Sequence, residues 1–332
     1  MTRTFDAFRI HEHNGRIESG LEQLTLDDLG DGDVVIAVSH SSINYKDALA
    51  ATGKGKILRR YPLVGGIDLA GQVERSDDPR YQPGDPVLVT GCGLSETHDG
   101  GYARYARVPG DWVIPMPAGL DAWRAMCIGT AGFTAALAIH RMEHNHLAPD
   151  RGPVVVTGAT GGVGSLAIDM LAGRGYSVAA VTGKREQADY LRAIGAAEVL
   201  LRDELDYGKR PLERARWAGA VDNVGGEMLT WLTRSMNFWG SIASIGLAAS
   251  ADLNTTVLPF ILRGINLLGV NSSATPREWR LAVWERIASD LQPQHLDRIG
   301  NRTVELAQLP EVFDEYMKGQ VTGRTVVILP GN

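Results

Sequence analysis

The chain has 332 residues, of which 44% are hydrophobic and 22% charged, and its formal net charge is −6. This length predicts two globular domains, on a prior of about 150 residues each. The negative charge, with no run of Lys and Arg longer than two residues, argues against a nucleic-acid partner. Only two cysteines occur, Cys92 and Cys127, which argues against a disulfide framework and suits a reducing compartment.

Neither a signal peptide nor a membrane span is predicted. Residues 1–10 carry charges and lack an apolar core of signal-peptide length. The longest uncharged apolar stretch, 125–139, contains Gly and Thr and fits a buried helix better than a membrane span. We therefore expect a cytoplasmic protein without a membrane partner.

The chain up to residue 124 is predicted to be an all-β unit. Short strand candidates, separated by clusters of Gly, Pro and Asp, lie at 34–38, 69–73, 86–89 and 102–108. No helix longer than a turn or two is expected before Asp121.

Strands and helices alternate in the following part of the chain. A helix over 125–146 leads to the strand 154–156. Further strands are expected at 177–182, 197–201, 219–224, 241–245 and 264–270, with helices at 186–194 and 227–237. This rhythm predicts a parallel, doubly wound sheet.

The chain ends with helices over 276–291 and 309–318 and a strand over 324–329. The first of these helices is predicted to bury one face, which carries Trp279, Val283, Ile287 and Leu291. These elements are too few to form a domain alone. The predicted domains are therefore 1–124 together with 275–332, and 125–274.

A glycine-rich turn follows the strand 154–156 and leads into a helix. Its glycines are Gly158, Gly161, Gly162 and Gly164. They let the backbone approach a ligand closely, and the start of a helix presents unpaired N–H groups to an anion. The spacing differs from GxGxxG, but the strand before it and the helix after it predict a dinucleotide site. The alternatives are a turn that binds nothing and a phosphate-only loop, which the missing Lys-Ser/Thr pair disfavours.

The residues after the second strand of this domain bear on the choice of dinucleotide. An NAD-binding unit usually has Asp or Glu there, whereas this chain has Gly183, Lys184 and Arg185. Cations would hold a ribose 2′-phosphate through charge-assisted hydrogen bonds, which favours NADPH over NADH. Arg202 could reach the same phosphate or stack on the adenine. The alternative is that these cations are solvated surface charges.

A metal signal is also present. His140, Glu143 and His144 match the H-x-x-E-H pattern of some zinc peptidases, and His146 follows. These histidines end a helix, where they suit the negative end of its dipole, and no second glutamate ligand is identifiable. We interpret the cluster as a helix end.

Together these features resemble the medium-chain dehydrogenase/reductase superfamily over nearly the whole chain. The resemblance is carried by residues 44–47, 65–71, 83–85, 99–103, 129–134 and 222–226. It implies a GroES-like β-barrel catalytic domain and a Rossmann NADPH-binding domain. Zinc alcohol dehydrogenases have Gly-His-Glu where this chain has Gly66-Ile67-Asp68. The resemblance therefore narrows to the zinc-free quinone oxidoreductases and enoyl reductases, and residues 44–47, 181–184 and 323–325 look most like the acryloyl-CoA reductases.

This likeness implies NADPH-dependent reduction of the C=C bond of acryloyl-CoA, or a related short enoyl-CoA, without zinc. It implies cofactor contacts from Tyr45, Thr160, Gly161, Gly162, Val163, Thr182, Gly183, Lys184, Arg202, Leu247, Ile261 and Ser272. The Tyr45 phenol is the candidate donor to the enolate oxygen. The alternative is that it packs on the nicotinamide while water supplies the proton.

Coenzyme A is a polyanion, so an acidic protein needs a local basic rim to bind it. Lys54, Lys56, Arg59 and Arg60 are predicted to clamp its phosphates, unless they are only solvated. Reduction of quinones or free enones is the alternative activity, and an NADPH-binding sensor without turnover is the alternative of another class. The apolar segment 265–270 would form an exposed edge strand, so a homodimer is expected.

Overall fold

The computed structural model describes residues 4–329 and divides into two compact units. The first unit comprises the chain up to Thr130, Ser273–Ala282 and the chain from Gly300 on; the second comprises Ala131–Ser272 and Val283–Ile299. The predicted domains, 1–124 with 275–332 and 125–274, differ from these units mainly in residues 283–299. This segment belongs to the second unit because its apolar side chains pack there: the ring of Trp284 stacks on that of Phe133, with centroids 6.1 Å apart.

Sixteen strands are present among the described residues, in chain order. They are β1 (Phe5–His13), β2 (Arg16–Leu24), β3 (Val34–Ile43), β4 (Leu63–Val64), β5 (Asp68–Ser76), β6 (Pro86–Thr90), β7 (Tyr105–Val108), β8 (Ile114–Pro115), β9 (Val154–Val156), β10 (Val178–Thr182), β11 (Glu198–Leu201), β12 (Trp217–Asp222), β13 (Met236–Ser244), β14 (Asn266–Gly269), β15 (Arg302–Glu305) and β16 (Thr325–Ile328).

Nine α-helices complete the part of the chain that the structure describes. They are α1 (Tyr45–Ala51), α2 (Ala122–His144), α3 (Gly162–Gly173), α4 (Ala188–Ala193), α5 (Gly226–Ser235), α6 (Leu258–Arg263), α7 (Arg277–Ile287), α8 (Leu296–Ile299) and α9 (Leu309–Met317).

The first unit is built on two β-sheets. Strands in the order β2-β1-β4 form one sheet, and strands in the order β15-β16-β3-β5-β6-β8 form the other, with β7 also pairing with β3. All pairs are antiparallel except β15 with β16. Aromatic rings fill its core, where Phe8 packs edge-on against Phe313 and Tyr102 at centroid distances of 5.7 and 6.4 Å. The predicted all-β character of the chain up to residue 124 is confirmed, apart from the short helix α1.

The second unit contains a six-stranded sheet in the order β11-β10-β9-β12-β13-β14, and every pair is parallel. The three valines of β9 are buried, as a central strand covered on both faces requires. The chain runs outward from β9 to β11 and then returns to β12 on the other side of β9. The predicted doubly wound sheet is confirmed, and its strand order reverses next to β9, where such folds bind ligands.

Several elements differ from the expectations. The hairpin of β1 and β2 was missed because charged residues and Gly20 obscure the alternation in β2. Strand β3 extends to Ile43, beyond the predicted 38, because its polar second half is buried and hydrogen-bonded: Ser41 donates to the Asp68 carbonyl at 2.6 Å. Helix α6 was not predicted.

The predicted buried face of α7 is partly wrong. Val283, Ile287 and Leu291 are buried, but Trp279 is 49% exposed. Arg280 is the buried residue of the first turn, at 1% exposure, because its guanidinium donates to the Thr90 carbonyl at 2.7 Å.

Helix α2 is long and apolar enough to cross a membrane by length and composition. Within the structure, however, 78% of its most apolar window is buried. Its regular geometry is interrupted at Gly129, which has φ 50° and ψ −157°. We therefore describe α2 as a kinked core helix, in agreement with the sequence-based interpretation of 125–139.

Candidate active site

The predicted pyrophosphate turn joins β9 to α3. Gly161 is the N-cap residue of α3 and has no side chain to cap it. A Cβ atom on Gly164 would lie 2.4 Å from the Gly158 carbonyl oxygen, so only glycine fits there. Gly158 itself has φ 58°, a conformation that favours glycine. The turn therefore leaves its backbone uncovered at the start of a helix, which is the arrangement that binds phosphate.

Hydrogen bonds from the segment at the end of β12 hold this turn in place. Asp222 at the end of β12 is fully buried and accepts hydrogen bonds from the Thr157 hydroxyl at 2.7 Å and the Gly225 N–H at 2.9 Å. Burial raises the pKa of Asp222, against the effect of these donors. The Asn223 side chain returns a hydrogen bond to the Thr157 carbonyl at 2.8 Å. The backbone at the ends of two neighbouring strands is thus held in one position.

The predicted 2′-phosphate residues lie at the ends of β10 and β11. These strands pair in parallel, with Thr182 opposite Leu201, so Lys184 and Arg202 follow the same edge of the sheet. The Thr182 hydroxyl accepts from the Lys184 N–H at 3.0 Å. A Cβ atom on Gly183 would lie 3.1 Å from the Arg202 guanidinium, which therefore lies against this glycine.

Lys184 and Arg185 differ in burial and in ion pairing. Partial burial lowers the pKa of the Lys184 ammonium, against the attraction of Glu186. Arg185 instead points to solvent and forms a 2.5 Å ion pair with Glu204. Lys184 and Arg202 are therefore the cations available to a phosphate at this edge.

The three residues predicted for the nicotinamide end also lie in the second unit. Leu247 follows β13 and Ser272 follows β14, two strands that pair in parallel. Ile261 lies in α6. Leu247 and Ile261 are 66% and 69% exposed, which leaves these apolar side chains open to a ligand.

Tyr45 is the first residue of α1, in the first unit. Asn44 is its N-cap, and a capping box fixes this end of the helix, because the Asn44 N–H donates to the Asp47 carboxylate at 2.8 Å. The Tyr45 side chain is 51% exposed. Its phenol is therefore accessible on a rigid element.

Asp47, two residues after Tyr45, and Asp68 form a buried carboxyl pair. Asp47 accepts hydrogen bonds from the Ile67 N–H at 2.9 Å and from Asn44. Burial, with the nearby charge of Asp68, raises the pKa of Asp47 to about 7. This carboxyl group therefore keeps its proton to a higher pH than an exposed aspartate does.

Asp68 is the centre of this network. Its carboxylate accepts hydrogen bonds from Ser42 at 2.6 Å, from the Asn44 amide at 2.8 Å and from the Thr130 N–H at 3.0 Å. The Arg324 guanidinium lies 3.9 Å away, in a pair that is almost fully buried. The buried charge is thus compensated by a cation and by several donors.

Arg324 also hydrogen-bonds the two residues that directly precede Tyr45. It donates to the Ile43 carbonyl at 2.9 Å and to the Asn44 side-chain oxygen at 3.1 Å. A Cβ atom on Gly129 would lie 2.7 Å from the Asp68 carboxylate and 2.8 Å from this guanidinium, so the kink of α2 makes room for the ion pair. Asp68 and Arg324 were not predicted to be site residues. An arginine directly before an apolar strand was the signal that could have indicated a buried charge at Arg324.

The donors around Asp68 do not fit a divalent cation. Hydroxyl, amide and backbone N–H groups occupy the carboxylate, and a guanidinium lies beside it. Among residues 4–329, no group of three or more His, Cys, Asp and Glu side chains is arranged to hold a metal ion. In the helix-end histidine cluster, Glu143 pairs with Arg286 at 2.7 Å and with Arg174 at 3.4 Å.

The predicted coenzyme A clamp lies in the loop after α1. Lys54, Lys56, Arg59 and Arg60 are all exposed. The Arg59 N–H donates to the Glu96 carbonyl at 2.7 Å, which anchors the backbone of this segment. Four cations are thus presented to solvent on an anchored loop.

The fold and the site define a class of protein. Residues 30–118 match the model of the alcohol dehydrogenase GroES-like domain, and residues 162–289 match that of the zinc-binding dehydrogenases. The chain is therefore a member of the medium-chain dehydrogenase/reductase superfamily, with a GroES-like and a Rossmann domain.

Full-length relatives narrow this assignment. The chain is 50% identical over 317 residues to acrylyl-CoA reductase AcuI of Ruegeria pomeroyi, covering 95% of this chain and 96% of the relative. It is 45% identical to YhfP of Bacillus subtilis, named as a quinone oxidoreductase, over 99% of this chain and 100% of the relative. The chain belongs to the acryloyl-CoA reductase family of oxidoreductases, as the sequence motifs predicted.

Solved structures support the same family assignment. The yhdH oxidoreductase of Salmonella enterica in complex with NADP matches with a TM-score of 0.94 at 45% identity, over 98% of this chain and 100% of that chain. The yhfP protein of Bacillus subtilis with NAD bound matches with a TM-score of 0.96 at 45% identity, over 99% of this chain and 100% of that chain.

Proposed function

We propose that the protein reduces the C=C bond of acryloyl-CoA, or a related short enoyl-CoA, with NADPH and without zinc. The observation that carries this proposal is the exposed Tyr45 phenol, on a helix whose N-cap residue Asn44 is bound by a buried carboxylate-guanidinium network whose donors do not suit a metal. An enoyl thioester suits such a site, because its carbonyl already withdraws electrons from the double bond and needs only orientation and an oxyanion donor. The similarity to an acrylyl-CoA reductase supports the choice of substrate.

NADPH is the proposed cofactor. The backbone of Thr160, Gly161, Gly162 and Val163 would hold the pyrophosphate, because α3 begins there. Thr182, Gly183, Lys184 and Arg202 would hold the 2′-phosphate, and Leu247, Ile261 and Ser272 the nicotinamide end. The NADP complex of a 45% identical structure supports this preference. When bound, NADPH supplies the hydride that adds to the β-carbon of the substrate.

The residues of the first unit would stabilise the enolate oxygen, and the α-carbon would then take its proton from the Tyr45 hydroxyl or from water. Tyr45 donates a hydrogen bond to the thioester oxygen as negative charge develops there, and Asn44 and Asp47 hold its helix in place. Tyr45 is also proposed to contact the cofactor. Lys54, Lys56, Arg59 and Arg60 bind phosphates of coenzyme A.

The test is a comparison of kcat/KM for acryloyl-CoA and for benzoquinone, both measured by NADPH oxidation. We expect the higher value with acryloyl-CoA. A higher value with benzoquinone would assign the protein to quinone or enone reduction instead, an activity that the similarity to YhfP favours. Tight NADPH binding without turnover of either compound would identify a sensor.

We propose that the protein forms a homodimer through its second unit. Strand β14 is the edge of the parallel sheet, and exposed apolar side chains lie on the neighbouring β13 and α6: Phe238, Trp239 and Leu262. An apolar edge of this kind is normally covered in solution, and a second copy pairing edge to edge would cover it. Sedimentation of Phe238→Glu should show monomers, whereas Trp279→Glu, an exposed tryptophan of the first unit, should leave the dimer intact. We also propose a cytoplasmic location, which fits the absence of a disulfide between Cys92 and Cys127 and is testable by cell fractionation.

A further inference from the structure

A surface depression of about 560 Å³ lies beside the start of α7 in the first unit. Its lining includes Gly93, Glu96, Asp111, Trp112, Arg277 and Arg280. None of these residues is among those predicted from the sequence to bind cofactor or substrate. The depression is therefore a separate candidate for a binding site.

The acidic side chains of the depression are neutralised by cations outside its lining. Glu96 forms an ion pair with Lys46. Asp111 forms an ion pair with Arg80 at 2.7 Å. These two carboxylates therefore contribute little negative field within the depression.

The arginines of the depression are held by neutral oxygen atoms. Arg277 donates to the carbonyls of Asp111 and Val113 at 3.0 and 2.5 Å and to the Tyr81 hydroxyl at 2.7 Å. Arg280 donates to the carbonyl and the hydroxyl of Thr90 at 2.7 and 3.1 Å. Such bonds fix a guanidinium without cancelling its charge. The Asp78 carboxylate also lies near Arg277, but it is paired with Arg80 at 2.5 Å, so the charge that remains in the depression is positive.

The depression is continuous with the predicted coenzyme A clamp. Glu96, in its lining, accepts a 2.7 Å hydrogen bond at its carbonyl from the N–H of Arg59. Lys54 and Lys56 belong to the same exposed loop as Arg59. The guanidinium groups of the depression and the exposed cations of this adjacent loop are together called the basic surface.

We propose that this basic surface binds the phosphates of the coenzyme A thioester, with Arg277 as the principal ligand in the depression. This assignment rests on the proposed function, because it names the part of that substrate which carries the charge. Coenzyme A bears a pyrophosphate and a 3′-phosphate, and a pre-oriented guanidinium is the group best suited to such anions. The Trp112 indole in the same lining offers an apolar face to the nucleoside.

The test compares acryloyl-CoA with the acryloyl thioester of N-acetylcysteamine, which has the same reacting group and no phosphate. In Arg277→Gln, the KM for acryloyl-CoA should rise about tenfold, the loss expected for one charged hydrogen bond, with kcat changed less than twofold. The KM for the small thioester should change less than twofold. Arg124→Gln, which removes an exposed arginine paired with Asp121, is the matched control and should change neither KM.

Two results would overturn the inference. One is an equal loss on both thioesters in Arg277→Gln, which would show that Arg277 only holds the loop around Asp111. The other is a wild-type enzyme with equal kcat/KM for both, since the phosphates would then contribute nothing. If the wild type reduces neither thioester, the proposed function fails, and calorimetric titration with free coenzyme A decides the inference: wild type must bind it more tightly than Arg277→Gln.

Discussion

The dinucleotide turn of the second unit and the Tyr45 network of the first unit are built from different material. The turn uses backbone: glycines at 158 and 164 and the first N–H groups of α3, in one short stretch of chain. The network uses side chains, and it collects Asp68, Thr130 and Arg324 from three distant segments. A backbone site is sensitive to added atoms, whereas a buried side-chain network is sensitive to lost charge.

The largest expected effect comes from removing the central charge of the network. Asp68→Asn leaves the buried Arg324 without its carboxylate and turns an amide N–H donor toward groups that also donate. Loss of one partner from a buried pair costs roughly 3–5 kcal/mol. Urea unfolding of the full chain should show a decrease of this size in the free energy of unfolding.

Asp121→Asn is the control for this comparison. Asp121 forms an exposed ion pair with Arg124, and its loss should cost less than about 1 kcal/mol. Equal decreases in the free energy of unfolding would mean that the buried Asp68 network contributes no more to stability than an exposed ion pair does.

The next effect concerns catalysis by Tyr45, whose helix the network holds through Asn44. Tyr45→Phe keeps the ring and removes the hydroxyl, and loss of one oxyanion donor lowers kcat about 10²-fold. Steady-state kinetics with acryloyl-CoA measure this, with Tyr61→Phe, a half-buried tyrosine of the same unit, as the control. A kcat within twofold of wild type would favour the alternative in which Tyr45 only packs on the nicotinamide.

A smaller effect is expected at the backbone site. In Gly164→Ala the new Cβ would meet the Gly158 carbonyl oxygen and the Ala159 Cα, at 2.4 and 2.8 Å. Overpacking of this kind costs about 1–3 kcal/mol, and because it displaces the turn, the Kd for NADPH should rise at least about tenfold. Fluorescence titration measures the Kd, and Gly20→Ala, whose Cβ would meet nothing within 4 Å, is the control. Reduced stability with an unchanged Kd would mean that the turn does not bind the cofactor.

The same contrast explains what the sequence could predict. The turn was recognisable because its glycines, strand and helix start are contiguous, and Lys184 follows the next strand along the chain. The network was not, since nothing local indicates that Gly129 makes room for Asp68 and Arg324. The basic depression was hidden for the same reason: Arg277 and Glu96 lie in distant segments, and Arg280 was masked by a pattern that placed Trp279 on the buried face.

The last expected effect is a pH dependence at Asp47, at the edge of the network. The pKa of Asp47 is raised from 3.8 to about 7, so the folded state binds its proton more tightly than the unfolded state does. The corresponding stability is complete below pH 4 and is lost as the pH rises to 7. Asp47→Asn stays neutral at every pH, so its free energy of unfolding should fall less than that of wild type between pH 4 and 7. Parallel curves for the two proteins would contradict the raised pKa, and the network would then hold two carboxylates at neutral pH, of which Asp68 alone pairs with Arg324.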